Sequence, residues 1–218
     1  MSDTRTAIYD KITGEIAARK TVDRAFIIGV TGIDCAGKSW FAEGLDGFLR
    51  ERGTATQLVK IDDFHQPAAV RHAGETRDED HYRRIREGRE FDFERLVTEV
   101  LRPACEGTPF TARIQAVDWR SDVTGTRDLA ITPRTVLIVE GVFLFLETVR
   151  PYLDYVVFLD VGEAECLRRA RRRDPAAVYR KYAARYLPAA LAHLAEYPPG
   201  RCADLTVDNT DWRSPRLG

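Results

Sequence analysis

The chain lacks the usual marks of a scaffold, a membrane protein or a polyelectrolyte. Its four cysteines, Cys35, Cys105, Cys166 and Cys202, include no CxxC pair, which argues against both a disulfide framework and a zinc site. The four histidines, His65, His72, His81 and His193, show no metal-ligand spacing either. The longest strongly apolar run, residues 135–146, is about half of what a bilayer span needs and carries Glu140 in its middle. Charge of one sign is missing too: 33 basic and 34 acidic residues leave a net charge of −1, which gives little long-range pull on nucleic acid. The first twenty residues are charged throughout and lack the apolar core of a secretion signal, so the expected location is the cytoplasm. No repeat, low-complexity tract or Pro/Gly/Ser linker divides the 218 residues, which read as one domain.

What is present is an alternation of short β-rich runs with helical patterns. Residues 25–30, 57–61, 135–139, 155–160 and 204–208 are nearly continuous apolar runs, as expected for parallel strands covered on both faces. Between the first two, residues 39–52 place Trp40, Phe41, Leu45, Phe48 and Leu49 at helical spacing. The pattern predicts an α/β fold with a five-stranded parallel sheet and helices on both faces. Right-handed crossovers then bring every strand's carboxyl end to one edge, where ligands of such sheets bind. Residues 4–20 predict an additional helix with Ala7, Ile8, Ile12 and Ile16 on one stripe. Residues 66–132 form a long excursion suited to building a substrate pocket. It contains a helix over 93–105 and a hairpin whose strands, 110–119 and 127–132, flank the turn-prone 121–126.

The strongest signal is Gly32-Ile33-Asp34-Cys35-Ala36-Gly37-Lys38-Ser39, a G-x-x-x-x-G-K-[ST] phosphate-binding loop between a strand and a helix. Its glycines let successive backbone N–H groups turn toward phosphate oxygens. The following helix start, with Trp40, adds a favourable dipole. Lys38 can reach the terminal phosphates, and the Ser39 hydroxyl can ligate Mg²⁺.

Three further features lie at the same predicted edge. The second strand runs into Asp62-Asp63-Phe64-His65, where Asp62 is either a base for an attacking hydroxyl or a turn cap. Glu140 ends the third strand after four apolar residues and reads equally as a metal-supporting acid or a surface carboxylate. Arg169 and Arg173, four apart, read as one face of an arginine lid helix in a region spanning about 165–190, or as a solvated face. Trp119, between Asp118 and Arg120, reads as a pocket wall or as core.

With GIDCAGKS, KIDDFH, LIVEGVFLF, RRARRRD and ADLTVDN taken together, the chain resembles the uridine kinase family of the uridine kinase/phosphoribulokinase group, including bacterial uridine kinase-like members. The resemblance implies a P-loop fold with a lid and ATP-dependent phosphorylation of a nucleoside 5′-hydroxyl. It further implies that Lys38 and Ser39 hold phosphates and Mg²⁺, that Asp62 is the base and also lies near the metal, that Glu140 supports the metal, and that Arg169 and Arg173 belong to the lid. Phe64, His65, Asp118, Trp119 and Arg120 fall on the acceptor side, Asp118 matching the family's aromatic-Asp motif. Two departures bear on the acceptor: His65 replaces a usual tyrosine, and AVDWRSD lacks the histidine that helps read the base. The expected partner is a small hydroxyl-bearing molecule, uridine or cytidine first, with neither nucleic acid nor membrane; self-association is left open. Pantothenate, glycerate, a sugar phosphate or an antibiotic are alternative acceptors. A nucleotide-dependent switch is the alternative class, although the N-K-x-D motif of guanine-specific switches is missing and DNTD at 208–211 replaces it poorly.

Overall fold

The computed structural model describes residues 3–74 and 77–218; residues 1–2 and 75–76, the latter pair within the expected excursion, lie outside the described residues. In chain order the strands are β1 (Phe26–Thr31), β2 (Thr56–Lys60), β3 (Phe110–Asp118), β4 (Val123–Ile131), β5 (Val136–Gly141), β6 (Tyr155–Asp160), β7 (Leu205–Asp208) and β8 (Arg216–Leu217). A mixed sheet has the order β2-β5-β1-β6-β7-β8, with β3 and β4 forming a separate hairpin. The five expected parallel strands are all found, and the sequence reading missed β8. This strand is two residues long and antiparallel to β7, too short to leave a periodic signature.

Alternate strand residues feed two cores, one on each face. Ile28, Val30, Ile138 and Val157 pack with Phe41, Leu45, Phe48 and Leu49 of helix α2 (Lys38–Glu51) and with Ile8, Tyr9, Ile12 and Ile16 of α1 (Asp3–Arg19). Ile27, Val59, Leu137, Val139 and Val156 pack instead against the excursion, through Ile85, Phe93, Val97, Ile114 and Leu129. Each fully buried side chain of this size contributes about 1.5–3 kcal/mol. Two of the expected positions differ. Ala7 faces solvent while Tyr9 takes its place, its hydroxyl donating to the Phe41 carbonyl at 2.9 Å. Trp40 leaves the α2 stripe, stays 41 % exposed and meets Trp212 edge-on at 4.9 Å. Among the described residues no helix is long and apolar enough to cross a membrane.

The hairpin is longer than the sequence predicts, since β4 begins at Val123. Asp118 ends β3 and makes the reversal: its carboxylate accepts from Arg120 N (3.0 Å) and Ser121 Oγ (2.7 Å), and its carbonyl accepts from Asp122 N (2.7 Å). Asp122 sits at φ +57°, which closes the turn within 119–122 and frees the β-branched pair Val123-Thr124 to join the ladder.

Helical pitch changes twice. The helix expected over 93–105 contains a π-helical stretch, Val97–Leu101, and another covers Tyr182–Tyr186. Each lies just before a proline, Pro103 or Pro188. A proline has no N–H for the ordinary i→i−4 bond and crowds the carbonyl four residues back, so the turn widens.

The helix Leu187–Glu196 anchors the excursion through His193, which is 2 % exposed. Its ring stacks on Phe145 at 5.9 Å and contacts Phe143, Tyr82 and Tyr197. Burial pushes this imidazole down from 6.5 to about 4. The unfolded chain therefore binds a proton between those values that the folded chain refuses. This contribution to stability is complete above pH 6.5 and lost as pH falls toward 4, by about 3 kcal/mol. Urea denaturation of the wild type and of His193→Phe from pH 7 to pH 4 should show the wild type losing that much relative to the variant; parallel curves would disprove the assignment.

Candidate active site

Parallel register places three segments side by side. Glu140 on β5 is aligned with Val30 on β1 and with Lys60 on β2, so the phosphate loop after β1 and the Asp62 turn after β2 flank the same carboxylate.

The loop's shape is fixed from outside. Cys35 sits at φ +61°, a strained conformation for a residue with a side chain. Arg169 Nη1 holds the Cys35 carbonyl at 3.0 Å, and Asn209 Nδ2 holds the Ala36 carbonyl at 2.6 Å. Because the peptide is trans and planar, the Gly37 N–H points opposite the Ala36 carbonyl, toward the loop's concave side. Gly37 is required: its φ is +93°, and a Cβ there would lie 2.8 Å from Asn209 Nδ2. Lys38 curls over the loop and donates to the Ile33 carbonyl at 2.9 Å.

Glu140 is 4 % exposed and accepts from Ser39 Oγ at 2.8 Å. Burial raises its carboxyl above the ordinary range, while Lys38 and the Ser39 hydrogen bond pull it back. Gly141 brings the next segment close, since any Cβ would lie 2.4 Å from Ile61. Asp62 follows in a 3-10 turn, Ile61–Phe64. The turn bonds go to its backbone carbonyl, from His65 N at 3.5 Å and with His65 Nδ1 at 2.9 Å. Its carboxylate makes no capping bond among the described residues and borders a cavity of about 370 Å³ shared with Lys38, Ser39 and Glu140. Asp63 is turned away, paired with Arg127 at 2.9 Å.

The excursion supplies the far wall. His65 meets Phe91 at 4.2 Å with the rings tilted by 46° and lies 6.0 Å from Trp119; burial pushes its imidazole pKa down, favouring the neutral form. Arg120 covers the Trp119 ring at 4.2 Å and reaches Asp174 at 3.6 Å, joining the hairpin tip to the end of the arginine helix Glu163–Arg173. Arg173 enters the cavity, bound to Asp174 and to the Tyr182 hydroxyl.

Three expected residues lie elsewhere. Phe64 is fully buried beneath the Arg95 guanidinium and does not line the cavity. Asp118 is committed to the hairpin turn, its carboxyl lowered by the Ser121 hydroxyl. Arg169 borders a second cavity of about 660 Å³, where it also grips the Asn209 and Thr210 carbonyls at 2.8 and 2.9 Å and pairs with Glu165 at 2.8 Å. That cavity, walled by Trp40, Thr210 and Trp212, shares Cys35, Gly37, Trp40 and Arg173 with the first. One elongated ligand can thus rest in the second cavity and present its end, across the loop, to the first.

The sequence reading missed Arg71, His81, Glu90, Phe143, Tyr182 and Tyr186, which also border the first cavity. Except for Phe143, which lies within LIVEGVFLF, none stands in a motif. For the two tyrosines the signal was Pro188, which widens the turn that carries them. Ser39 and Glu140 supply hard oxygen donors that fit Mg²⁺. No set of three or more His, Cys, Asp or Glu side chains among the described residues could hold a metal.

The model of the phosphoribulokinase/uridine kinase family matches residues 27–184. A possible uridine kinase from Bacillus stearothermophilus superposes with a TM-score of 0.72 at 24 % identity, over 91 % of this chain and 96 % of that one. The D-glycerate 3-kinase from Cryptococcus neoformans does so with a TM-score of 0.60 at 11 % identity, over 87 % and 88 %. At these identities the likeness is one of fold. No curated protein matches the chain.

Arg169→Ala should release the Cys35 carbonyl and let it turn toward bound anions. The dissociation constant for a nucleoside triphosphate, followed by tryptophan fluorescence, should rise about tenfold, the loss of roughly one charge-assisted hydrogen bond. An unchanged constant in a folded variant would remove the arginine from that role.

Proposed function

The chain belongs to the phosphoribulokinase/uridine kinase family, and on that premise we propose that it is a kinase transferring the γ-phosphoryl group of ATP to a hydroxyl of a small molecule, a nucleoside such as uridine or cytidine first. One observation carries this reading: the Asp62 carboxylate, without a bonding partner among the described residues, borders the same cavity as Lys38, Ser39 and Glu140. A volume of about 370 Å³ lies within the range that small-molecule sites occupy.

In this reading the triphosphate lies along the loop, its base in the cavity walled by Trp40 and Trp212 and its terminal phosphate beside Lys38. Ser39 and Glu140 are the residues that would hold Mg²⁺, with Asp62 close by, and the ion offsets charge on the phosphate oxygens when bound. The acceptor sits against His65, Phe91 and Trp119. Asp62 takes the proton of its hydroxyl as the oxygen forms a bond to the γ-phosphorus and the bond from that phosphorus to the β,γ-bridging oxygen breaks, leaving ADP. Arg173 faces the charge on the group in transit, and the bridge from Arg120 to Asp174 keeps water out.

ADP release measured over uridine, cytidine, D-glycerate and pantothenate tests the acceptor; turnover of a non-nucleoside alone would overturn the nucleoside assignment. Asp62→Asn should lower kcat by about 100-fold or more while Mg·ATP still binds. Undiminished turnover would dismiss Asp62 as the base. Glu140→Gln should raise the Mg²⁺ concentration needed for half-maximal rate, and an unchanged requirement would place the ion elsewhere.

A further inference from the structure

Two free carboxylates border the acceptor cavity, and the reaction above uses only Asp62. The other is Asp34, third residue of the phosphate loop, which the sequence reading placed in the phosphate cradle. It borders the cavity of Asp62 and not the one walled by Trp212. Its charge is felt across three segments: by Lys38 and Asp62 at the sheet edge, by Arg173 on the arginine helix and by His81 on the excursion. Tyr182 and Tyr186 of the widened turn lie within the same field.

None of these groups closes to a hydrogen bond or an ion pair with the Asp34 carboxylate among the described residues. Two of the cations that act on it are committed elsewhere, Lys38 to the Ile33 carbonyl and Arg173 to Asp174 and Tyr182. Burial accordingly raises the Asp34 carboxyl above its ordinary range. Asp34 is only half-buried, and once a ligand displaces the water around it, its unpaired carboxylate is costly unless a donor on that ligand meets it. A phosphate oxygen cannot be that donor, because two anions repel. The donor has to come from the other ligand.

We infer that Asp34 is an acceptor-binding residue, receiving a hydrogen bond from a second hydroxyl on the acceptor a few atoms from the one that Asp62 deprotonates. The acceptor is then a polyhydroxylated compound, held by one carboxylate and activated by the other. This rests on the kinase reading above and refines its substrate class.

The experiment pairs deletion of the side chain with deletion of its partner. Wild type, Asp34→Ala and Asp34→Asn are assayed with uridine, 2′-deoxyuridine and 3′-deoxyuridine. In the wild type, one deoxy compound should lose about tenfold or more in kcat/KM, the value of a hydrogen bond to a charged group. In Asp34→Ala, uridine should fall to that level, and removing the same hydroxyl should cost nothing more. Mg·ATP affinity and the thermal midpoint serve as controls and should stay within about twofold and a few degrees. Losses that multiply instead of merging would overturn the inference. So would an Asp34→Asn variant with weaker Mg·ATP binding and an unchanged acceptor KM. If the wild type ignores all three nucleosides, D-glycerate and 3-hydroxypropionate form the equivalent pair. Merging losses there would sink the nucleoside assignment and leave Asp34 standing, whereas no turnover of any of the five would sink both.

Discussion

A phosphate site made of backbone needs its carbonyl dipoles turned away from the anion, and in this chain that constraint is met by two side chains brought from far along the sequence. Arg169 and Asn209 hold the Cys35 and Ala36 carbonyls outward. The Gly37 N–H is thereby set inward, and a left-handed Cys35 is kept in a conformation it would leave if free. Arg169 also binds the Asn209 and Thr210 carbonyls, so the loop, the arginine helix and the segment after β7 form one unit. The positions of Lys38, Ser39 and Trp40 at the start of α2 follow from it.

The second organising element is the pairing of exposed Ser39 with buried Glu140. A carboxylate at 4 % exposure beside two apolar strands would be expensive alone. The hydroxyl, the nearby Lys38 ammonium and the strand register make it tolerable and bind the loop side of the site to the sheet. The close approach of Gly141 to Ile61 then fixes Asp62 next to it.

How much of this was legible in the sequence differs by element. The five parallel strands were readable because both faces of the sheet are covered, leaving continuous apolar runs. The phosphate loop was readable because its geometry admits few residue types. Asp62 and Glu140 could be placed because strand direction alone dictates which edge they reach. The brace of Arg169 was visible only as a charge, since its partners are main-chain carbonyls that no residue type marks. Phe64 and Asp118 were misplaced for a related reason. A residue beside a functional aspartate gives no sign of which way it turns, and an aspartate ending a strand satisfies a tight reversal as readily as it meets a ligand. The π-helical turns escaped because the periodicity of Val97–Leu101 and Tyr182–Tyr186 is helical in either pitch, and only the following prolines distinguish them.

β2 and β5 are immediate neighbours in the sheet, and everything between them, including the hairpin and the wall of His65, Phe91 and Trp119, leaves and returns through that one doorway. The entropy of closing such a detour grows only slowly with its length. Replacement of the detour by one of different size would leave the loop, its brace and the two edge acids where they are. The architecture therefore leaves the loop, its brace and the two edge acids independent of the segment between β2 and β5, and the two can diverge at different rates.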